Sequence, residues 1–258
     1  MLDYKKINIL FFTLLTLLLI LSCYITVKWW YFLVLLGIRF LVLFIGSSLI
    51  QSNFHITAYC NNPNEKEKKI ALTFDDGPSP ITLQILRILE QHNAKATFFC
   101  IGKHIEKYPE ILQQTVQGGH LVGNHSYSHS HFFDFYRKDK LVLDLQKADK
   151  IIREVIGKRP IFFRPPYGVT NPAIRKALAI TNHYVIGWSI RSMDGIIKNE
   201  KIIFNRIVKR ISPGSIVLLH DTSQNTVKVL EQLLVFLKSN KYQIVSLEEL
   251  LEIKAYEK

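Results

Sequence analysis

The chain of 258 residues is poor in cysteine, with only Cys23, Cys60 and Cys100. They are far apart and lie in an apolar run, a polar segment and a strand-like run, so we expect neither a disulfide framework nor a cysteine metal site. Internal repeats and low-complexity tracts are also absent. The net charge is +12, but no basic run is interleaved with aromatic residues, so we do not expect nucleic-acid binding. The basic balance suits an anionic polymer, an anionic membrane surface or an ordinary solvated surface.

Charged residues are scarce as well, at 21%, and the apolar excess is concentrated at the N-terminus. Residues 7–27 carry no charge, and a second apolar run over 29–50 is interrupted only by Arg39. Each run is long enough to cross a hydrocarbon core of ~30 Å. We therefore expect one or two N-terminal transmembrane helices, over 7–27 and 29–50.

Other interpretations of the first apolar run fit less well. Its core is longer than that of a usual signal peptide, and no small-residue cleavage site follows. Cys23 faintly resembles a lipoprotein site, but the apolar sequence continues beyond it. Two membrane passes are favoured over one pass plus an interfacial helix. Arg39 is then expected either to face the other helix or to extend toward the membrane surface.

The remainder of the chain divides into a polar, proline-punctuated tether over 51–68 and a domain over 69–258. In this domain short apolar runs alternate with amphipathic segments, which predicts βα units and a mostly parallel sheet. The predicted strands are 70–74, 97–101, 120–123, 161–163, 184–190, 215–219 and 243–245. The predicted helices are 81–92, 110–117, 141–156, 171–180, 200–211, 227–239 and 247–253.

Four polar clusters follow predicted strands: Thr-Phe-Asp-Asp-Gly at 73–77, His-Ser-Tyr-Ser-His at 125–129, Arg-Pro-Pro-Tyr at 164–167 and Leu-Leu-His-Asp at 218–221. All fall at carboxyl ends, where the loops of a βα barrel converge and active sites are built. They provide acids, two imidazoles four residues apart, an arginine and a further imidazole. A mononuclear metal hydrolase needs these parts, so the chain is an enzyme candidate.

The histidine pair and the aspartate pair each allow two interpretations. On a helical turn, His125 and His129 would lie on one face and could bind one metal ion, although two surface histidines at this spacing are common. Asp75 and Asp76 have diverging side chains, so one carboxylate could bind the metal and the other act as a base. Alternatively, these aspartates belong to a turn or helix cap ahead of Pro78.

The position of Arg164 and His220 at the same edge of the predicted sheet affects how each is interpreted. Arg164 is either a structural ion-pair partner or the cation that orients the base. His220 could donate a proton near neutral pH if a carboxylate sustains its charged form. Asp194 is the first candidate for that carboxylate and Asp221 the second. A lone histidine at a strand end is more often structural, but the common edge favours a functional role.

These motifs carry a resemblance to a known family. The segment from about Lys68 to Lys254 resembles the polysaccharide deacetylases of carbohydrate esterase family four, the NodB homology domain. Thr-Phe-Asp-Asp-Gly-Pro, His-Ser-Xaa-Xaa-His, Arg-Xaa-Pro-Tyr and Leu-Leu-His-Asp occur in the family's order and at its spacing. The resemblance implies a distorted (β/α)7 barrel and metal-dependent removal of acetyl groups from N-acetylated sugars.

The resemblance also implies a role for each motif residue. One divalent metal ion, zinc or alternatively cobalt or nickel, would be bound by Asp76, His125 and His129. The acid–base groups would be Asp75 as general base, Arg164 holding Asp75, His220 protonating the leaving amine, and Asp194 tuning His220. The backbone N–H of Tyr167 would help the metal stabilise the oxyanion. Leu218 would line the pocket for the acetyl methyl group.

The fourth motif departs from the family pattern. The family usually has Asp-Xaa-Xaa-Asp-Trp, whereas this chain has Arg191, Asp194 and Gly195 at the corresponding positions. The second aspartate is retained, so the proton-transfer groups are complete. The wall of the acetyl pocket differs, which predicts a shifted substrate preference.

We therefore expect a membrane-anchored N-deacetylase whose domain faces the cell exterior or periplasm and acts on an envelope glycan, foremost N-acetylglucosamine of peptidoglycan. One alternative is an O-deacetylase of an acetylated polysaccharide such as xylan. Another is an inactive glycan-binding protein. The complete set of metal and acid–base residues argues against the last.

Overall fold

The computed structural model describes residues 3–257 and begins with a helical hairpin. Helices α1 (Tyr4–Ser22) and α2 (Trp30–Ser48) pack together, and each is long and apolar enough to cross a membrane. The first helix starts earlier than predicted because the Asp3 side chain caps it by accepting the Lys6 N–H. It also ends earlier, ahead of the β-branched residues 25–27, which favour helix less.

Arg39 faces the other helix of the hairpin. Its Nη2 donates to Oδ1 of Asn8 at 3.0 Å, and its guanidinium carbon lies 4.5 Å from the centre of the Phe11 ring. This contact corresponds to the first of the two predicted arrangements. A charge that would be costly in lipid is thereby held between the helices by a polar partner and an aromatic face.

The rest of the chain forms one parallel sheet that curls into an open, distorted barrel, which confirms the predicted fold class. Its order is β1-β6-β5-β4-β3-β2-β8-β7, with β9 paired to β2. The strands are β1 Ala58–Tyr59, β2 Lys69–Asp75, β3 Thr97–Cys100, β4 Leu121–Asn124, β5 Phe162–Phe163, β6 Tyr184–Ile186, β7 Ile190–Arg191, β8 Ile216–His220 and β9 Gln243–Ile244. Every named pair is parallel, as βα units require.

The sheet has nine strands where seven were predicted, for two reasons. The predicted strand 184–190 is two strands, because the backbone between them bends: the Gly187 N–H pairs with Tyr59 and its carbonyl accepts from Arg164. The predicted tether also contributes β1, which pairs with β6. Residues 51–68 are therefore partly integrated into the sheet and are not simply a tether.

Helices cover the outside of the sheet. They are α3 Pro80–Gln91, α4 Gly102–Lys107, α5 Pro109–Gln117, α6 Lys138–Ile156, α7 Pro172–Thr181, α8 Glu200–Val208, α9 Gln224–Ser239 and α10 Leu247–Leu251. The short α4 was not predicted. Strands β2, β3 and β8 bury alternate residues against α3, α8 and α9, with Phe74, Val217 and Leu233 fully buried in this core. The core fixes the strands whose carboxyl ends carry the polar clusters.

The helical hairpin is attached directly to this domain. Ile50, just beyond α2, is buried in a core cluster with Cys60 and Trp188. The Ser47 carbonyl, in the last turn of α2, accepts from the Thr170 N–H at 3.0 Å. At the other end of the hairpin sequence, the Tyr4 N–H donates to the Phe54 carbonyl. The start of α1 and the end of α2 therefore both lie beside the domain.

Candidate functional site

The polar clusters meet at the carboxyl edge of the sheet. Asp75 ends β2 and His220 ends β8, and the two are directly paired across neighbouring strands. His125 continues β4, since its N–H donates to the Cys100 carbonyl. Arg164 follows β5, whose partner is β4. The predicted residues thus lie at the ends of β5, β4, β2 and β8, which are neighbours in the sheet except that β3 lies between β4 and β2.

Asp76, His125 and His129 form a compact set of donor atoms. Oδ1 of Asp76 lies 3.4 Å from Nε2 of His125 and 3.3 Å from Nε2 of His129. One ligand atom from each of the three lies within 4.8 Å of the others. Nδ1 of His125 is occupied by the Arg164 carbonyl at 2.8 Å, so its Nε2 remains for a ligand. Two imidazoles and a carboxylate with both Nε2 atoms convergent fit a divalent metal ion.

The protonation of Asp76 and His129 also suits a metal, whereas for His125 the lowering effect of burial is outweighed by Asp75 and Asp76, which raise its pKa. Burial raises the pKa of Asp76, but the hydrogen bond from His125 and the charges of both histidines outweigh burial and lower it. Burial and the neighbouring His125 lower the pKa of His129 to about 4. An ionised carboxylate and a neutral imidazole are the forms that coordinate metals.

The two histidines do not lie on a helical turn, contrary to the prediction. Residues 125–129 form an irregular loop in which Ser126 and His129 have positive φ angles of 65° and 43°. Oγ of Ser126 accepts the His129 N–H at 3.0 Å. On α6, Asp144 accepts the N–H groups of Tyr127 and Ser128. These hydrogen bonds replace helical ones and bring both imidazoles to one point.

Arg164 is a fully buried cation beside Asp75. Its Nη1 donates to Oδ1 of Asp75 at 2.7 Å and to Oγ1 of Thr73 at 2.8 Å. Its Nε and Nη2 donate to the carbonyls of Ile186 and Gly187. A buried charge pair is tolerated when its remaining hydrogen bonds are made, as they are here. The arrangement fixes one oxygen of Asp75.

His220 is paired with Asp194, which decides between the two candidate carboxylates. Nδ1 of His220 lies 2.7 Å from Oδ1 of Asp194, and the His220 N–H donates to Oδ2. Burial alone would lower the pKa of His220, but Asp194, with Asp75 and Asp76, raises it to about 9. Asp221 lies elsewhere, with Oδ2 accepting from Thr82. His220 is therefore protonated at neutral pH.

Of the two remaining predicted site residues, Tyr167 is exposed and Leu218 is buried. The Tyr167 backbone is left-handed, with φ 59°, and its ring centre is 5.1 Å from that of His129. Leu218 is buried and belongs to the cluster that contains Trp188. Strained backbone is concentrated here, since positive φ occurs at Asp76, Ser126, His129, Tyr167 and Met193.

The unusual fourth motif leaves open space near His220. A Cβ atom on Gly195 would meet only Nδ1 of His220, at 3.9 Å. Arg191 is paired with Leu218 across β7 and β8, and its guanidinium carbon lies 5.7 Å from the Trp188 ring centre. A larger side chain at residue 195 could therefore be accommodated beside the catalytic histidine candidate.

Several supporting residues were missed from the sequence. Ser192 and Thr226 donate to the two oxygens of Asp194 at 2.7 and 2.6 Å. Asn124 accepts the Ser126 N–H and donates to Asp149, which also contacts His183. Thr226 and Asp149 come from the distant helices α9 and α6, whereas Ser192 and Asn124 lie beside motif residues but belong to no motif themselves, so only the folded arrangement identifies these roles.

Comparisons with known proteins agree with this geometry. The sequence profile of the polysaccharide deacetylase family matches residues 62–186. A peptidoglycan-N-acetylglucosamine deacetylase of Bacillus cereus is 37% identical over 198 residues, which cover 74% of this chain and 92% of the relative. The peptidoglycan-N-acetylmuramic acid deacetylase PdaC of Bacillus subtilis is 34% identical over 75% of this chain, but only 40% of PdaC is covered.

A solved structure shows the same fold. The crystal structure of the peptidoglycan N-acetylglucosamine deacetylase Bc1960, bound to 4-naphthalen-1-yl-N-oxidanyl-benzamide, superposes with a TM-score of 0.72 at 32% identity. The match covers 77% of this chain and 94% of that one. Fold, motifs and relatives agree, and the chain belongs to the polysaccharide deacetylase family.

Proposed function

We propose that this protein hydrolyses the N-acetyl group of N-acetylglucosamine residues in a cell-envelope glycan, peptidoglycan. The observation that carries the proposal is one sheet edge with three features: the metal set of Asp76, His125 and His129; Asp75, fixed by Arg164; and His220, fixed by Asp194. Relatives named for peptidoglycan deacetylation support the choice of glycan.

The metal set is proposed to hold one divalent ion, with zinc favoured by its two nitrogen donors and one carboxylate. When bound, such an ion polarises the acetyl carbonyl and makes water nucleophilic at neutral pH. Asp75 lies outside this set of converging donor atoms, and Arg164 holds one of its oxygens, so the proposed role of Asp75 is that of a base.

The protein groups then divide the proton transfers between them. Asp75 takes a proton from the attacking water, and Arg164 keeps its carboxylate oriented. The Tyr167 backbone N–H stabilises the tetrahedral oxyanion, a contribution of about 3–4 kcal/mol for one donor of this kind. His220 donates its proton to the leaving amine, and Leu218 packs against the acetyl methyl group.

The role of His220 predicts a specific pH dependence. Asp194 raises the pKa of His220 to about 9, so the donor form is lost as pH rises through that value. In Asp194→Asn that support is removed, and the descending limb of the kcat–pH profile should move down by about 1–3 units, the usual effect of an opposite charge. The ascending limb should not move. A descending limb identical to that of the wild type would contradict the assignment of His220 as the acid.

The open space at residue 195 predicts a change in specificity. Gly195→Trp would add an aromatic wall beside His220 and should alter the ratio of kcat/KM values among differently acetylated oligosaccharides, with bound metal unchanged. Ile196→Trp, at the exposed neighbouring residue, is the matched control. If both variants keep the wild-type ratio, residue 195 does not shape the pocket.

We propose two membrane passes, which the hairpin geometry supports, with the domain and the N-terminus on the same side of the membrane. That side is proposed to be extracytoplasmic because the proposed substrate lies there. Tyr4 and Phe54 are hydrogen-bonded, so the start of α1 and the end of α2 lie together. A reporter fused after Lys258 that works only in the cytoplasm should stay silent. A strong signal from a membrane-inserted fusion would overturn both the topology and the envelope substrate.

Analysis of the envelope glycan from whole cells tests the proposed function. Mass spectrometry of envelope glycan fragments should show glucosamine without its N-acetyl group in cells with this protein and fully N-acetylated sugar in cells lacking it. Loss of O-acetyl groups without new free amines would instead identify an O-deacetylase.

A further inference from the structure

A turn beside the site exposes two phenylalanine rings to solvent. In residues 132–136, which we call the aromatic turn, Phe133 is fully buried and anchors the turn in the core, whereas Phe132 is 68% exposed and Phe135 83%. Phe135 is the most exposed large apolar residue in the described part of the chain. Exposing two such rings three residues apart is costly in water, and contiguous apolar surface of this kind often marks an interaction site.

The aromatic turn lies next to the point where the membrane hairpin joins the domain. The Asp134 carbonyl accepts from Nδ2 of Asn171 at 2.7 Å. The preceding residue, Thr170, donates its N–H to the carbonyl of Ser47 in the last turn of α2. The turn is thus two hydrogen bonds away from the end of a helix that is long and apolar enough to span a membrane.

The residue types around the turn are those typical of protein segments that lie in a lipid headgroup region. Aromatic side chains are enriched at membrane–water interfaces, and nearby lysines and arginines are attracted to anionic headgroups. Arg137 and Lys140 follow the turn and are exposed, and Nζ of Lys140 lies 3.5 Å from the centre of the Tyr136 ring. The nearby acids are Asp134, a half-buried residue within the turn, and Asp139, which pairs with Lys138.

We propose that Phe132 and Phe135 insert into the interface of the membrane that holds α1 and α2, as a third attachment of the domain. The inference rests on the proposed membrane topology. The consequence for substrate follows from the neighbouring contacts: His131, just before the turn, bonds the Tyr167 hydroxyl, and the Tyr167 ring contacts His129. Insertion therefore holds the metal site close to the lipid surface and selects glycan chains that lie next to the membrane.

The test measures the depth of the turn in the full-length protein. Cys23→Ser removes the exposed cysteine and leaves Cys60 and Cys100, which are buried. Single cysteines replacing Phe132 or Phe135 are labelled with a nitroxide in vesicles of phosphatidylethanolamine and phosphatidylglycerol. Collisions with oxygen, which partitions into lipid, are compared with collisions with a water-soluble nickel chelate. Phe40→Cys on α2 is the membrane reference, and Val235→Cys on the exposed face of α9 is the aqueous reference.

We expect the labels at 132 and 135 to favour oxygen, as the label at 40 does, and the label at 235 to favour the nickel chelate. Labels at 132 and 135 that behave like 235, while 40 is lipid-exposed, would overturn the insertion and leave the anchor intact. If 40 is also water-exposed, the anchor itself is wrong and the inference falls with it. Shielding at 135 only on adding soluble N-acetylated oligosaccharide would assign the rings to glycan binding instead. Turnover of that oligosaccharide should be unchanged in each labelled protein, which verifies folding.

Discussion

Replacing either His125 or His129 by alanine is expected to abolish bound metal and turnover together. Each imidazole supplies one of three donor atoms that converge within 4.8 Å, and only Asp76 and one imidazole would remain. Loss even of an outer hydrogen-bond partner of a metal ligand costs 10–100-fold in affinity, so removing a ligand should cost more than about 100-fold. Metal content by elemental analysis and acetate release on the same samples measure both effects.

The matched control is His131→Ala. The His131 imidazole is exposed and lies two residues beyond His129. It is hydrogen-bonded to the Tyr167 hydroxyl and is not part of the metal set. The control should keep its metal, whatever its effect on substrate binding. Full metal occupancy in both His125→Ala and His129→Ala would eliminate the proposed site.

Asp75→Asn is expected to separate metal binding from catalysis. The amide cannot accept a proton from water, so kcat should fall by about 10²–10⁴, the usual contribution of a general base. Metal should be retained, because Asp75 is held by Arg164 and the three donor atoms are elsewhere. The melting temperature must be measured as well, since the variant leaves the buried Arg164 without its counter-charge.

Asp76→Asn is the companion variant and should lose metal. The two carboxylates are adjacent in sequence but have different nearest partners, Arg164 for Asp75 and the two histidines for Asp76. Oδ2 of Asp75 also lies 3.9 Å from Nε2 of His125. If Asp75→Asn loses its metal and Asp76→Asn keeps it, the two roles are assigned the wrong way round.

The position of the site was predictable because the motifs follow apolar runs. In a parallel βα sheet every such motif falls on one edge, and Asp75, His125, Arg164 and His220 are all found there. Their chemical types also limited the reaction class. Pattern and composition therefore predicted the parallel βα fold and the shared edge, whereas the distorted barrel and the role of each residue were implied by the family resemblance.

The details that depend on distant partners could not be predicted. The loop of His125 and His129 is shaped by Asp144, from a helix further along the chain, which overrides the helical spacing. Strand β1 has only two residues and exists because β6 offers its edge. Asp194 was already the first candidate for the partner of His220, but the hydrogen bond that excludes Asp221 depends on how β7 and β8 are placed side by side.

The central claim is that a metal-loaded site removes acetyl groups from nitrogen. The most direct measurement incubates purified full-length protein, loaded with zinc, with N-acetylated peptidoglycan and follows the glycan by mass spectrometry and the free amines by chemical labelling. We expect sugars that have lost one acetyl group and gained one primary amine, with no such product from metal-loaded Asp75→Asn. Glycan that stays fully N-acetylated with metal-loaded, folded wild-type protein would contradict the account.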